Sequence, residues 1–137
     1  IYLNEELSGL FGLFVAEGSS CSSGISICMN KSKEQEYLAF TEYCLKKYFN
    51  LKTSRVPHKT DDSEEVRSNS RIISDFFANC SGKGAYNKKI PDFILNSSRK
   101  NKISFLEKLF VGDGCDTNSH HNFRVISYAT VSKELAI

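Results

Sequence analysis

The chain has 137 residues, 40% hydrophobic and 25% charged, with a net charge of +2. That is one domain's length of ordinary globular composition, which argues against wholesale disorder. No apolar run approaches the roughly 20 residues of a membrane span, and no basic segment leads into an apolar core at the N-terminus. The expectation is therefore a soluble cytoplasmic or nuclear protein that is neither membrane-inserted nor secreted. The five cysteines (Cys21, Cys28, Cys44, Cys80 and Cys115) are odd in number and lack C-x-x-C spacing. This argues against both a disulfide framework and a zinc site. His120 and His121 are adjacent, so in an extended segment they would point to opposite faces and ligate one metal poorly.

Residues 4–17 read as a helix. Asn4 is its N-cap, Glu5 and Glu6 lie in its first turn, and Leu7, Leu10, Phe11 and Phe14 form an apolar stripe. Gly18 stops it. "SSCSSGISICMN" then alternates through Ile25 and Ile27, the pattern of a strand, or of two, around a glycine turn. "SKEQEYLAFTEYCLKKYFNL" predicts a second helix capped by Ser32, burying Tyr37, Phe40, Leu45 and Phe49. Two short strands follow, joined by a polar turn at Asp61, Asp62 and Ser63, and Pro57 makes the first an edge or irregular strand. "SRIISDFFANC" is a third helix, "SGKGAYNKK" a loop and "IPDFILNS" a short helix opening on proline. Ile103 to Val111 form another helix. A polar loop and one strand, 122–130, come next, and Ser132 reads as the cap of a further helix. The second pass begins as the first did, which is the mark of an internal repeat.

Charge is unevenly spread. Residues 1–50 hold four Lys/Arg against six Asp/Glu, and residues 51–137 hold fourteen against ten. Lys52, Arg55, Lys59, Arg67 and Arg71 recur in or beside strands, as a phosphate-tracking face or an ordinary solvated face both allow.

The repeat itself carries the chemistry. "LFGLFVAEG" (10–18) and "LEKLFVGDG" (106–114) share L-x-x-L-F-V, then a small residue, an acid and glycine. Small residues four apart, Gly12 and Ala16, with Gly112 in the second copy, let two helix backbones approach closely. Helices packed this way carry Glu17 and Asp113 to neighbouring C-terminal ends, where the helix dipole disfavours carboxylates. An acid there in both copies asks for a cation. Paired carboxylates with room for water and a phosphate oxygen suit Mg²⁺ and phosphodiester hydrolysis.

The two phrases resemble the signature helices of the LAGLIDADG homing endonucleases, in particular the intein-associated dodecapeptide (DOD-type) branch. Glu17 and Asp113 stand 96 positions apart, and "NKKIPDFIL" before the second phrase is similar to the family's K-x-I-P block. The resemblance implies an α+β fold, an αββαββα half-domain over 1–101 carrying the DNA-binding sheet. A second half-domain would start at 102–137 with its signature helix and first strand, truncated there. It implies a site-specific double-strand DNA endonuclease acting on a long specific duplex site, with two or three Mg²⁺ ions shared by Glu17 and Asp113. Carried over, Glu17, Asp113 and Lys88 are the catalytic residues, and Gly18 and Gly114 stand with the two acids at the metal site. Ser26, Cys28, Asn30, Arg55, His58, Arg67, Asn69 and Arg124 are assigned to the DNA-facing surface. Gly12, Ala16, Lys108 and Gly112 are assigned to the helix interface.

Three departures bear on this. Lys108 stands where the family has a small residue, so its stem must snorkel out of the interface or hold the helices apart. Val111 replaces an acid often found in the second signature. The second half stops after about one strand, so the chain as it stands would cleave weakly or not at all; the expectation is a monomer if complete and self-association if truncated. A non-catalytic DNA-binding module of the same fold, an intron RNA-splicing cofactor and an α+β domain of other purpose are the alternatives.

Overall fold

A computed structural model describes residues 2–118 and 124–136, with side chains at all of these except 115–118, 124 and 125. The chain runs α1 (Glu5–Glu17), β1 (Gly18–Cys21), β2 (Gly24–Asn30), α2 (Gln35–Phe49), β3 (Ser54–Pro57), β4 (Ser63–Ser68) and α3 (Arg71–Ser81). A 3₁₀ turn (Ala85–Asn87), α4 (Asp92–Leu95), α5 (Arg99–Asp113), β5 (Gly114–Asn118) and β6 (Arg124–Tyr128) complete it. This is an α+β architecture, αββαββα followed by the short α4 and then αββ. The first four strands form one antiparallel sheet in the order β1-β2-β4-β3, and β5 and β6 form a separate antiparallel pair.

Local chemistry sets the helix starts. Asn4 Oδ1 accepts the Leu7 N–H at 2.9 Å, and Ser70 and Ser98 cap α3 and α5 in the same way. Ser32 does not cap α2. Asn30 Oδ1 takes the N–H groups of Ser32 and Lys33 in a turn. Glu34 fills the cap position with its carboxylate turned back to the Asn30 N–H at 2.7 Å. α5 starts four residues before Ile103, because the Ser98 cap recruits a polar first turn that apolar periodicity cannot reveal. The stretch after Gly114 is a strand, β5, instead of a polar loop; it pairs with β6 from Gly114↔Tyr128 to Asn118↔Arg124. Ser132 caps no helix: its buried hydroxyl donates to the Lys88 carbonyl.

The core wraps α1. Every residue from Leu7 to Val15 is buried, so α1 is not the one-striped helix its sequence suggests. It is enclosed by α2, α3, the sheet and α5, as an all-apolar helix must be. Phe77 of α3 stacks on Phe11 and tilts against Phe14, each at 4.7 Å between centroids. Ile25, Ile27, Met29 and Val66 close the sheet side. α5 is lopsided by comparison. It buries Phe105 and Leu109 against α1 and exposes Ile103 and Leu106.

The α1–α5 contact is made at backbone distance. A Cβ on Gly12 would lie 2.3 Å from the Phe105 carbonyl oxygen and 3.1 Å from the Leu109 nitrogen. Gly12→Ala gains about 1 kcal/mol of helix propensity, but it must drive two backbones apart, an overpacking cost of about 1–3 kcal/mol with loss of Phe105 and Leu109 packing on top. Chemical denaturation should find Gly12→Ala destabilised. Gly9→Ala, whose neighbours are the flexible Ser104 Oγ at 3.1 Å and Lys108 Cγ at 3.2 Å, should stay close to the parent.

Candidate metal-binding and nucleic-acid surface

α1 and α5 end in the same manner. The N–H of Gly18 bonds to the Phe14 carbonyl and that of Gly114 to the Phe110 carbonyl, with extended backbone at both glycines (φ −88°, ψ 151° and φ −83°, ψ 149°). Each glycine then opens a strand, β1 or β5. The residues just before them, Glu17 and Asp113, are brought to one place because the helices touch at their ends too. A Cβ on Gly112 would sit 2.6 Å from Ala16 Cβ and 2.9 Å from Glu17 Oε1.

Glu17 and Asp113 line a common open cavity of about 630 Å³ with Lys88, Lys83, Gly18 and Tyr128. Burial, then the negative field of Asp113, holds the Glu17 carboxyl above the usual carboxylate range, with Lys88 opposing. Asp113 Oδ2 accepts from the Tyr128 hydroxyl at 3.2 Å, and burial together with Asp113 pushes that phenol up.

Lys88 is 8% exposed. Its Nζ donates to the Phe14 carbonyl at 2.5 Å and the Gly18 carbonyl at 2.7 Å, and lies 4.5 Å from the Phe14 ring centre. α1 has no basic residue in its last turn, so this lysine, 70 residues beyond Gly18, supplies the cation that its C-terminus lacks. Burial lowers its ammonium to about 8, against the pull of Asp113 and Glu17; the two carbonyls it bonds also favour the charged form.

The remaining expected positions divide. Gly12, Ala16, Lys108 and Gly112 all lie in the α1–α5 seam. Lys108 snorkels: its Cβ passes beside Gly12, and its Nζ rests 4.8 Å from the Tyr37 ring centre on α2. Gly18 lines the cavity with its carbonyl engaged by Lys88, while Gly114 caps α5. On β2, Ser26, Cys28 and Asn30 are half-exposed and alternate with buried Ile25, Ile27 and Met29. They therefore share the sheet face away from the helices. Their β4 partners on that face are Arg67, Glu65 and Ser63. His58 reaches the same face, its Nε2 2.8 Å from Glu65 Oε1, and Arg67 and Asn69 line a shallow depression beside Ser26.

Arg55 does not join them. It pairs with buried Val66 across β3–β4, so strand alternation turns it to the helix side. There Nη2 meets Glu42 Oε2 at 2.8 Å, with Gln35 and Glu64 also bonded. Arg124 opens β6, but its side chain lies outside what is described, as do His120 and His121 altogether. Sequence reasoning missed Tyr128 and Lys83 at the cavity. Tyr128 gave no signal, since its place depends on the β5–β6 register.

No protein-family model matches the chain. Over 136 residues it is 32% identical to a protein named ATP-dependent DNA helicase Hel308 from Thermococcus kodakarensis, covering 98% of this chain and 12% of that protein. It is 29% identical over 134 residues to an uncharacterized protein of Methanocaldococcus jannaschii, covering 93% of this chain and 17% of the other. The chain thus spans less than a fifth of the length of these relatives. Among solved structures it resembles I-DmoI in complex with DNA and manganese, with TM-score 0.57 and 18% identity over 83% of this chain and 64% of that one. It also resembles mesophilic variants of the homing endonuclease I-DmoI, with TM-score 0.56 and 17% identity over 81% of this chain and 62% of that one. I-DmoI with DNA and calcium gives TM-score 0.56 and 18% identity over 81% and 58%. The chain has the α+β fold of these LAGLIDADG endonuclease neighbours.

Lys88 offers a test of the site's desolvation. Its folded pKa of about 8 lies below the free value of 10.5, so between those values the unfolded chain holds a proton that the folded chain has lost. Stability therefore rises with pH across that window, and the desolvation penalty is fully present below it. In metal-free unfolding measurements, parent minus Lys88→Met should climb by roughly 1–3 kcal/mol from pH 8 to 10.5. A flat difference would mean the ammonium is not desolvated.

Proposed function

We propose that this chain carries one and a half repeats of a LAGLIDADG homing endonuclease: a half-domain over 1–101 and the start of a second over 102–137. In this reading the module hydrolyses both strands of a specific duplex DNA, and it derives from an intein or intron. The observation that carries the proposal is the shared cavity in which two helix ends deliver Glu17 and Asp113 beside the buried ammonium of Lys88. Two further findings support it. The structural neighbours are DNA complexes with manganese or calcium, and the sequence match falls on a small part of a much longer helicase.

The donor set fits a hard divalent ion such as Mg²⁺. Both acids offer oxygen, the cavity has room for water, and the Glu17 carboxyl, raised by burial and then by Asp113, is a desolvated acid beside a second acid. When bound, such an ion supplies Lewis-acid polarisation of the phosphodiester. Glu17 and Asp113 would hold it, one from each helix. Lys88, fixed by two carbonyls, would place an ammonium against the developing phosphate charge and steer the water. Tyr128 would orient the Asp113 carboxylate. Ser26, Asn30, Arg67 and Asn69 would lie along a DNA groove, Arg67 on a phosphate and the smaller polar groups on base edges.

Incubation with a randomised duplex library and Mg²⁺ should enrich cleaved or nicked sites, and Glu17→Gln or Asp113→Asn should abolish them. DNA affinity should stay within a few-fold, falling with salt at a slope of about −0.9 per phosphate neutralised. Glu17→Gln should also raise the thermal midpoint of the metal-free chain, because it deletes a desolvated charge facing Asp113, and should lose the stabilisation that Mg²⁺ gives the parent. Mg²⁺-dependent cleavage surviving both substitutions would remove these acids from the mechanism.

A further inference from the structure

On the outer sheet face three different strand segments converge. Cys28 sits in the middle of β2, and its cross-strand partner on β4 is Glu65. His58 follows Pro57 at the end of β3 and is held by its backbone N–H to the Ser63 carbonyl at 2.9 Å. One ligand atom from each, thiol sulfur, imidazole nitrogen and carboxylate oxygen, all lie within 4.8 Å of one another, and all three side chains are half-buried. From this convergence we propose a second metal site, Cys28–His58–Glu65, that takes a borderline transition ion of the zinc class and leaves one position to solvent.

The donor chemistry separates this site from the carboxylate cavity. Thiolate and imidazole select zinc, cobalt or similar ions, whereas Mg²⁺ prefers oxygen. The spacing is close to what is needed. Bonds of about 2.0–2.3 Å in a tetrahedron put donor atoms roughly 3.3–3.8 Å apart, so His58 and Glu65, now in direct contact at 2.8 Å, open slightly around the ion while Cys28 closes in. The supporting groups are already present. Arg67 Nε holds Glu65 Oε2 at 2.5 Å and leaves Oε1 for the site. Asp61 Oδ1 lies 3.8 Å from His58 Nδ1, on the side where a ligating imidazole hands its other proton to a carboxylate. The absence of C-x-x-C spacing does not count against such a site, since β-sheet register, not sequence proximity, assembles the ligands. Binding pins the β3 end to the sheet centre. It also offsets the charge of Glu65, which on this face otherwise has Arg67 and His58 as partners.

Titration of the reduced, anaerobic chain with Co²⁺ tests this, because a thiolate-to-cobalt charge-transfer band reports sulfur ligation and no described residue lining the Mg²⁺-type cavity carries sulfur. One equivalent should produce the band. Cys28→Ser and His58→Ala should each remove it, and Glu65→Gln should weaken binding at least several-fold. Cys80→Ser and Asp113→Asn should keep it, which separates this site from the proposed catalytic one, and Zn²⁺ should displace the cobalt. If Cys28→Ser folds poorly, His58→Ala and Glu65→Gln carry the same comparison. No band at large molar excess, or a band that persists without Cys28, overturns the site.

Discussion

The structure depends on two helices meeting with nothing between them. Where Gly12 faces the Phe105 carbonyl and Gly112 faces Ala16, α1 and α5 touch through backbone and the smallest side chains. Most of the local sequence follows from that constraint. Bulk is excluded from the seam, so apolar mass is displaced to its flanks, where Phe11 and Phe14 lock onto Phe77 and Phe93. The misfit Lys108 obeys the same rule by leaving over the aromatic rings of α2. Close approach also fixes what happens at the helix ends. Both glycine caps break the helices at the same level, so the last residues, both acids, are forced into proximity.

That proximity is unfavourable by itself. Two carboxylates at the negative ends of two helices repel each other and the dipoles, and Glu17 is raised by burial first and by the field of Asp113 second. Lys88 only partly relieves it, since its ammonium is spent on the α1 carbonyls. Its own loop is tied down in turn by the Ser132 hydroxyl on the Lys88 carbonyl. The fold thus sets a desolvated acid, facing a second acid, beside a seam packed at backbone distance.

Legibility in the sequence followed the range of the interactions. The helix pair, the glycine caps and the Asn4 cap depend on residues a turn apart, and could be read directly. The seam could be read because it was written twice. Apart from the α2 cap and the polar first turn of α5, what failed lay at longer range. β5, Gly-Cys-Asp-Thr-Asn, has no apolar alternation and is a strand because β6 pairs with it. Arg55 looked like its neighbours on the groove side, but strand parity is set by register against β4, and a single step sends its guanidinium to Glu42. α1 read as one-sided because sequence periodicity cannot announce that a second helix will cover the far face.

The sheet divides its labour by the same parity. On the helix side, charge is consumed internally: Arg55 is bound by Glu42, Gln35 and Glu64, and a side chain so engaged has few donors to offer a partner. On the other side the positions are short or polar: Ser19 against Ser26 at 2.9 Å, then Cys28, Asn30, Ser63 and Arg67. Short side chains let a large, flat partner come near the backbone, and long ones at the margins can then reach around it. Glu65 is the exception on that face, held between Arg67 and His58. Arg67 first, and His58 after it, hold its carboxyl below the usual carboxylate range against the opposing effect of burial. Arg67 neutralises Glu65 through its Nε, and so can turn outward only by giving up that contact.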